Sequence, residues 1–157
     1  LVYEKDLNEL KKIEKEYSFI KFDYPEVLSN CISYDMPASE TYKLGALLEY
    51  SDVLLCFYSS MSIEASIFDT PVINLELYHK RNLSNKVMAN HTHNKRILST
   101  GGVKSVTTRD ELIKSINNYL EKPNLDSGGR SLIAEQEVGP NIGFASSKIA
   151  NYILKLK

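Results

Sequence analysis

Hydrophobic residues recur along the chain at helical spacing and in short runs, and the two patterns alternate. Leu7, Leu10 and Ile13 recur near the helical period, which predicts a helix over residues 6–17, and Leu44, Leu47 and Leu48 predict a second over residues 41–50. Short segments with several apolar residues predict strands at residues 19–22, 32–34, 53–57, 72–75 and 103–106.

The centre of the chain predicts a parallel crossover. Residues 53–57 read Val-Leu-Leu-Cys-Phe without alternation, which is typical of a strand buried on both faces. A helix over residues 61–69 and a strand over residues 72–75 follow directly, and this order favours parallel strands. We therefore expect a parallel sheet of about four to six strands, with these two strands as neighbours near its centre.

The second half of the chain continues the alternation. Residues 77–99 have weak periodicity and predict a long loop with one helical turn. Thr108 and Glu111 form the sequence of a capping box, which predicts a helix that Pro123 ends. Two more helices are expected, around Leu132 and over residues 142–153. The predicted fold class is α/β, a Rossmann-like parallel sheet with helices on both faces.

Composition and charge narrow the class of protein. The chain has 157 residues, 43% of them hydrophobic, and a net charge of −1, which predicts one globular domain over residues 1–157. Near-zero net charge argues against nucleic acid as a partner. Two cysteines are too few for a disulfide framework, and Cys56 lies in an apolar run, so a buried thiol in the reducing cytoplasm is expected. The chain begins with Leu1 and strand-like residues, so a fragment of a longer protein is expected, with removal of only an initiator Met as the alternative.

The first candidate site is the turn after the strand at residues 53–57. Ligands of open parallel sheets bind beyond the carboxyl ends of the strands, where this turn must lie. Backbone N–H groups at a helix start suit a phosphate, serine hydroxyls add donors, and a carboxylate accepts from sugar hydroxyls. Helix capping by serine is the structural alternative. The candidates are Tyr58, Ser59, Ser60, Ser62 and Glu64.

The second candidate site is a basic segment, residues 77–108. It contains no Asp or Glu, holds all three histidines, and ends near Gly101 and Gly102, whose backbone can approach a ligand closely. Such segregated charge indicates an anion site, with a solvated basic face as the alternative. His91 and His93 lack nearby carboxylate or thiolate ligands, so no metal site is expected. The positive residues are Lys80, Arg81, Lys86, Lys95, Arg96 and Lys104.

These segments resemble the donor-binding half of GT-B glycosyltransferases. Residues 48–53 (LEYSDV), 58–65 (YSSMSIEA) and 68–74 (FDTPVIN) match the family pattern sDvv, S-S/T-x-x-x-E-A and G-x-P-V-I, although Asp69 stands at the glycine position. The likeness continues through residues 93–97 (HNKRI), 101–103 (GGV), 119–123 (YLEKP) and 143–145 (GFA), as in polysaccharide-type members. The turn at residues 58–60 also looks like that of CDP-glycerol glycerophosphotransferases.

The resemblance implies one half of a GT-B fold whose partner is a nucleotide-sugar or CDP-polyol donor. It implies no cofactor and no metal, a missing N-terminal acceptor domain, and no catalytic residues within this chain. It also implies a cytoplasmic protein of polysaccharide biosynthesis, with peripheral association at the inner face of the membrane left open. The alternatives are half of a UDP-sugar 2-epimerase and a non-catalytic nucleotide-binding or assembly module. The implied donor-binding residues are Tyr58, Ser59, Ser60, Ser62, Glu64, His93, Arg96, Gly101 and Gly102.

Overall fold

A computed structural model describes residues 4–24, 37–76 and 88–156 of the chain. It contains two compact units, Leu1–Leu44 and Gly45–Lys157. The predicted strand at residues 32–34 lies outside the described residues, and so do residues 77–87 of the basic segment, with Lys80, Arg81 and Lys86. The strands of the described sheet all belong to the second unit.

The first unit contains helix α1 (Glu4–Glu16), as the periodicity predicts, and the start of α2 (Ala38–Tyr50). The predicted strand at residues 19–22 is wrong, because these residues are irregular. The backbone N–H of Phe22 donates to Glu14 Oε1 at 2.7 Å, a local bond instead of a ladder bond. Lys43 Nζ lies 2.7 Å from both Asp23 Oδ1 and Glu40 Oε2, and hydrogen bonds to these carboxylates raise the pKa of Lys43.

The second unit contains the predicted strands and helices in the predicted order, together with one further helix. A π-helical turn, Ala134–Val138, follows directly on the helix Ser127–Ile133. In place of the predicted loop with one turn, residues 92–99 form a complete helix. The elements are β1 (Leu54–Cys56), α3 (Met61–Ile67), β2 (Val72–Leu75), α4 (Thr92–Ser99), β3 (Val103–Val106), α5 (Arg109–Glu121), α6 (Ser127–Ile133) and α7 (Ala145–Lys155).

The described sheet has three parallel strands in the order β1-β2-β3. This arrangement confirms the α/β class and is consistent, at a coarse level, with a Rossmann-like fold. β1 and β2 are neighbours as expected, with Leu54 opposite Val72. The expectation that both strands lie near the centre is correct for β2 and wrong for β1, which is an edge strand of the described sheet. Leu55 and Phe57 are accordingly exposed, because nothing described covers that edge.

Helices cover β2 on both faces. On one face Ile73, Val106 and Tyr119 form a buried cluster, with Tyr119 supplied by α5. On the other face Cys56 and Asn74 line a pocket that α3 and α4 close. Val72, Ile73 and Asn74 of β2 are buried, as an internal strand requires. The expectation that residues 53–57 are buried on both faces is wrong, because Leu55 and Phe57 are exposed.

The capping box predicted for α5 is present. The N–H of Glu111 donates to Thr108 Oγ1 at 3.2 Å, and the N–H of Thr108 donates to Glu111 Oε2 at 3.3 Å. The N–H and hydroxyl of Thr107 add two further bonds to the same carboxylate oxygen, and these bonds lower the pKa of Glu111. The helix therefore begins where the sequence predicts.

Within residues 4–24, 37–76 and 88–156, no helix combines the length and the apolar character that crossing a bilayer requires.

Candidate functional site

A network of polar side chains occupies the carboxyl edge of the sheet. Asn74, almost fully buried near the end of β2, accepts the backbone N–H of Tyr58 on Oδ1 at 2.7 Å. Its Nδ2 donates to Glu76 Oε1 and to Ser105 Oγ, each at 3.3 Å. One amide thereby connects the ends of all three strands, and it holds the turn after β1 against β2.

Tyr58 adopts an unusual backbone conformation in this turn. Its φ angle of +41° lies in the left-handed region, which L-residues other than Gly, Asn and Asp rarely adopt. The Asn74 bond to its backbone and a 2.6 Å bond from its hydroxyl to Glu76 Oε1 hold it there. Strained turns of this kind are frequent at binding sites, although strain alone does not identify a ligand.

Two serines of the turn bond to the backbone at the start of α3, and a third is exposed. Ser59 Oγ accepts the N–H of Met61 at 3.2 Å, and the buried Ser62 Oγ donates to the Ser59 carbonyl at 2.8 Å. Ser60 occupies the N-cap position of α3 but makes no side-chain capping bond. Because Ser60 is exposed, its hydroxyl is available to solvent. The hydroxyls of Ser59 and Ser62 instead stabilise the start of the helix, as the capping alternative proposes.

Glu64 lies half-buried in the first turn of α3. Among the described residues its carboxylate has no hydrogen bond or ion pair, which leaves its acceptor capacity unused.

The thiol of Cys56 is buried beneath the turn, as the sequence predicts. Burial raises the pKa of this thiol, and a hydrogen bond from the backbone of Ser59 only partly offsets the shift. The neutral thiol is therefore the dominant form at neutral pH, and Cys56 acts as an apolar packing residue.

Helix α4 begins at the same edge of the sheet. Its buried Asn94 donates to the Met88 carbonyl at 2.7 Å and lines one small pocket together with Ser59. The exposed His93 precedes Asn94, and its ring lies edge-to-face with His91 at 5.8 Å between centroids. The segments that carry Ser60 and His93 therefore lie at one edge of the sheet. The pocket has room for about one water molecule, so a larger ligand would have to lie across its opening.

Arg96, predicted to bind a phosphate, is paired with a carboxylate. Its Nε and Nη2 donate to the two carboxylate oxygens of Glu137, the second bond measuring 2.6 Å. Hydrogen bonding to Arg96 lowers the pKa of Glu137, and His93 contributes to the lowering electrostatically. The fork geometry suits a carboxylate as well as a phosphate, so an anion would have to compete with Glu137.

Gly101 and Gly102 do not join the other predicted site residues. They precede β3 and therefore lie at the amino edge of a parallel sheet, opposite Tyr58. A Cβ on Gly102 would lie 2.4 Å from the carbonyl carbon of Gly129, so its close approach is to α6. Gly101, with φ +75° and open space around its Cα, shapes the turn after α4. Gly101 and Gly102 do not group with His93 because α4, which separates them in the chain, runs from the carboxyl edge of the sheet to its amino edge.

Sequence reasoning missed the residues that organise the site: Asn74, Glu76, Ser105 and Glu137. One signal was available, since Asn74 is a polar residue inside an apolar strand and must find partners there. No comparable signal marks Glu137, which is distant in sequence from Arg96.

Metal ligands are not clustered in the part of the chain that the structure describes. No group of three or more His, Cys, Asp and Glu side chains in that part has the proximity needed to hold a metal ion.

Comparison of the chain with models of protein families, with curated proteins and with solved structures gave no match.

Proposed function

We propose that the second unit binds the activated donor of a GT-B-type transferase, a nucleotide sugar or a CDP-polyol. One observation carries the proposal. The turn with Ser60, the first turn of α3 with Glu64 and the start of α4 with His93 all lie at the carboxyl edge of a parallel sheet. That edge is where open α/β sheets bind nucleotides.

The available groups match the chemistry of such a donor. The Ser60 hydroxyl and the His93 ring are exposed donors for phosphate oxygens, and Glu64 is an acceptor for ribose or sugar hydroxyls. Arg96 adds positive charge once an anion displaces the Glu137 carboxylate from the Arg96 guanidinium. Because the pocket is small, the donor lies over the turn, with the Tyr58–Asn74 bond as its rigid support.

The rest of the proposal follows from the family resemblance. Helix starts and basic side chains stabilise the departing diphosphate without a required metal, as electrostatic stabilisation permits. The acceptor and its general base come from an opposing N-terminal domain, in a cytoplasmic protein of polysaccharide biosynthesis.

Calorimetric titration of the chain tests the proposal. The panel is CDP, UDP, GDP, ADP and their common sugar or polyol conjugates, with inorganic phosphate as the reference. We expect one nucleotide class to bind, and Ser60→Ala to weaken it about fivefold through loss of one hydrogen bond. Ser146→Ala, an exposed serine at the start of α7, is the matched control. Failure of every nucleotide to bind rejects the proposal.

A further inference from the structure

Helix α7 presents an uncovered apolar stripe. Ile149, Tyr152, Ile153 and Leu156 follow the helical spacing that places side chains on one face. They are between 57% and 69% exposed, and no residue of α7 is buried. Immediately before the helix, Phe144 is 68% exposed. Such a continuous apolar surface is unfavourable in water unless something covers it.

The charge around this stripe has one sign. Residues 139–157 contain three lysines and no Asp or Glu, although the whole chain has a net charge of −1. Lys148 and Lys155 are seven residues apart and therefore lie on one side of α7, next to Tyr152 at the border of the stripe. Lysines in this position extend their stems along the apolar surface and their ammonium groups beyond it.

We propose that α7 lies in the headgroup region of an anionic lipid surface, with its apolar stripe towards the acyl chains. Lysine-only flanks match an anionic surface, whereas a helix that packs on another helix usually carries both signs of charge beside its seam. The short helix rests on the surface and does not cross it. The stripe contains none of the residues proposed to bind the donor, so the inference does not depend on the proposed donor.

Vesicle co-sedimentation of the full chain tests the lipid surface. We expect binding to vesicles of phosphatidylcholine mixed with phosphatidylserine, weaker binding to phosphatidylcholine alone, and a loss of binding as salt rises. K148E/K155E is expected to lower the partition coefficient at least about tenfold, since each lysine near such a surface contributes severalfold. K114E/K122E makes the same change of net charge at exposed residues in and just after α5, and it should leave binding unchanged.

A second variant tests the apolar stripe. I149S/I153S should abolish binding to both kinds of vesicle while leaving the helical circular dichroism and the unfolding temperature unchanged, because both side chains are exposed. Three results would overturn the proposal. The first is lipid binding that I149S/I153S leaves unchanged. The second is an equal loss of lipid binding in K148E/K155E and in K114E/K122E. The third is absent lipid binding together with dimerisation in sedimentation that I149S/I153S reduces, which would assign the stripe to a second copy of the chain.

Discussion

The buried guanidinium of Arg130 donates from Nε to Asp69 Oδ1 at 2.7 Å, across the turn that precedes β2. Asp69 has a φ angle of +57°, in the left-handed region that favours glycine. Asp tolerates this conformation better than most residues. Ser127 Oγ donates to its other oxygen at 2.8 Å. Asp69 thus holds a left-handed turn and joins it to α6 through two polar bonds.

Replacing Arg130 should strongly destabilise the second unit. Arg130→Met removes the bond to Asp69 and leaves the carbonyls of Leu125 and Pro123 without their partners at 2.7 and 3.0 Å. We expect the free energy of unfolding to fall by about 3–5 kcal/mol. Urea denaturation of both proteins measures it. Ser127→Ala, which removes one exposed bond, should cost less than about 1 kcal/mol. An Arg130→Met variant as stable as the parent would contradict this role.

Two adjacent glycines of α6 should respond oppositely to alanine. A Cβ on Gly129 would lie 2.3 Å from the backbone nitrogen of Gly102, and backbone cannot move aside cheaply. We expect Gly129→Ala to lower the free energy of unfolding by at least about 2 kcal/mol. Gly128→Ala meets nothing within 4 Å and should raise it by about 0.5–1 kcal/mol, because alanine favours helix. Thermal melts of the pair decide the matter, and equal shifts would exclude the close packing.

The pair of Arg96 and Glu137 should make stability depend on acid pH. Arg96 lowers the pKa of Glu137 in the folded state. The pair therefore contributes its full stabilisation above the pKa that Glu137 has in the unfolded chain, and this stabilisation is lost as the pH falls through the pKa of Glu137 in the folded chain. The free energy of unfolding of Glu137→Gln should therefore decline less steeply than that of the parent between about pH 5 and pH 3. Urea midpoints across this range measure the slope. Glu135→Gln, an exposed neighbour outside the pair, is the control, and parallel profiles for Glu137→Gln and the parent would be the contrary result.

Glu64 should affect ligand binding and not folding. Loss of a hydrogen bond to a charged acceptor is expected to weaken nucleoside diphosphate binding by Glu64→Gln about 10- to 100-fold. Its unfolding temperature should match that of the parent, because Glu64 has no partner among the described residues. Calorimetry and thermal melts measure the two quantities. Glu121→Gln, exposed at the end of α5, is the control, and equal affinity in Glu64→Gln and the parent would remove Glu64 from the site.

Local pattern was sufficient for most elements of the second unit. The hydrophobic residues of β2 and β3, the capping box of α5 and the period of α7 are local signals in the chain, and all four elements are found. The run at residues 19–22 has a similar composition but forms no strand in the structure. A strand requires a partner for its backbone, and three apolar residues in a segment of four cannot specify one.

The sequence alone determined the α/β class and the polar turn after β1, because strand and helix signals are local. Only the tertiary structure decided that Asn74 binds the backbone of Tyr58, that Glu137 pairs with Arg96, and that Gly102 packs closely against Gly129. Each of these contacts joins residues that are 16 or more positions apart, and chain spacing carries no information about such distances. They depend on the order of parallel strands and on which edge of the sheet each helix reaches.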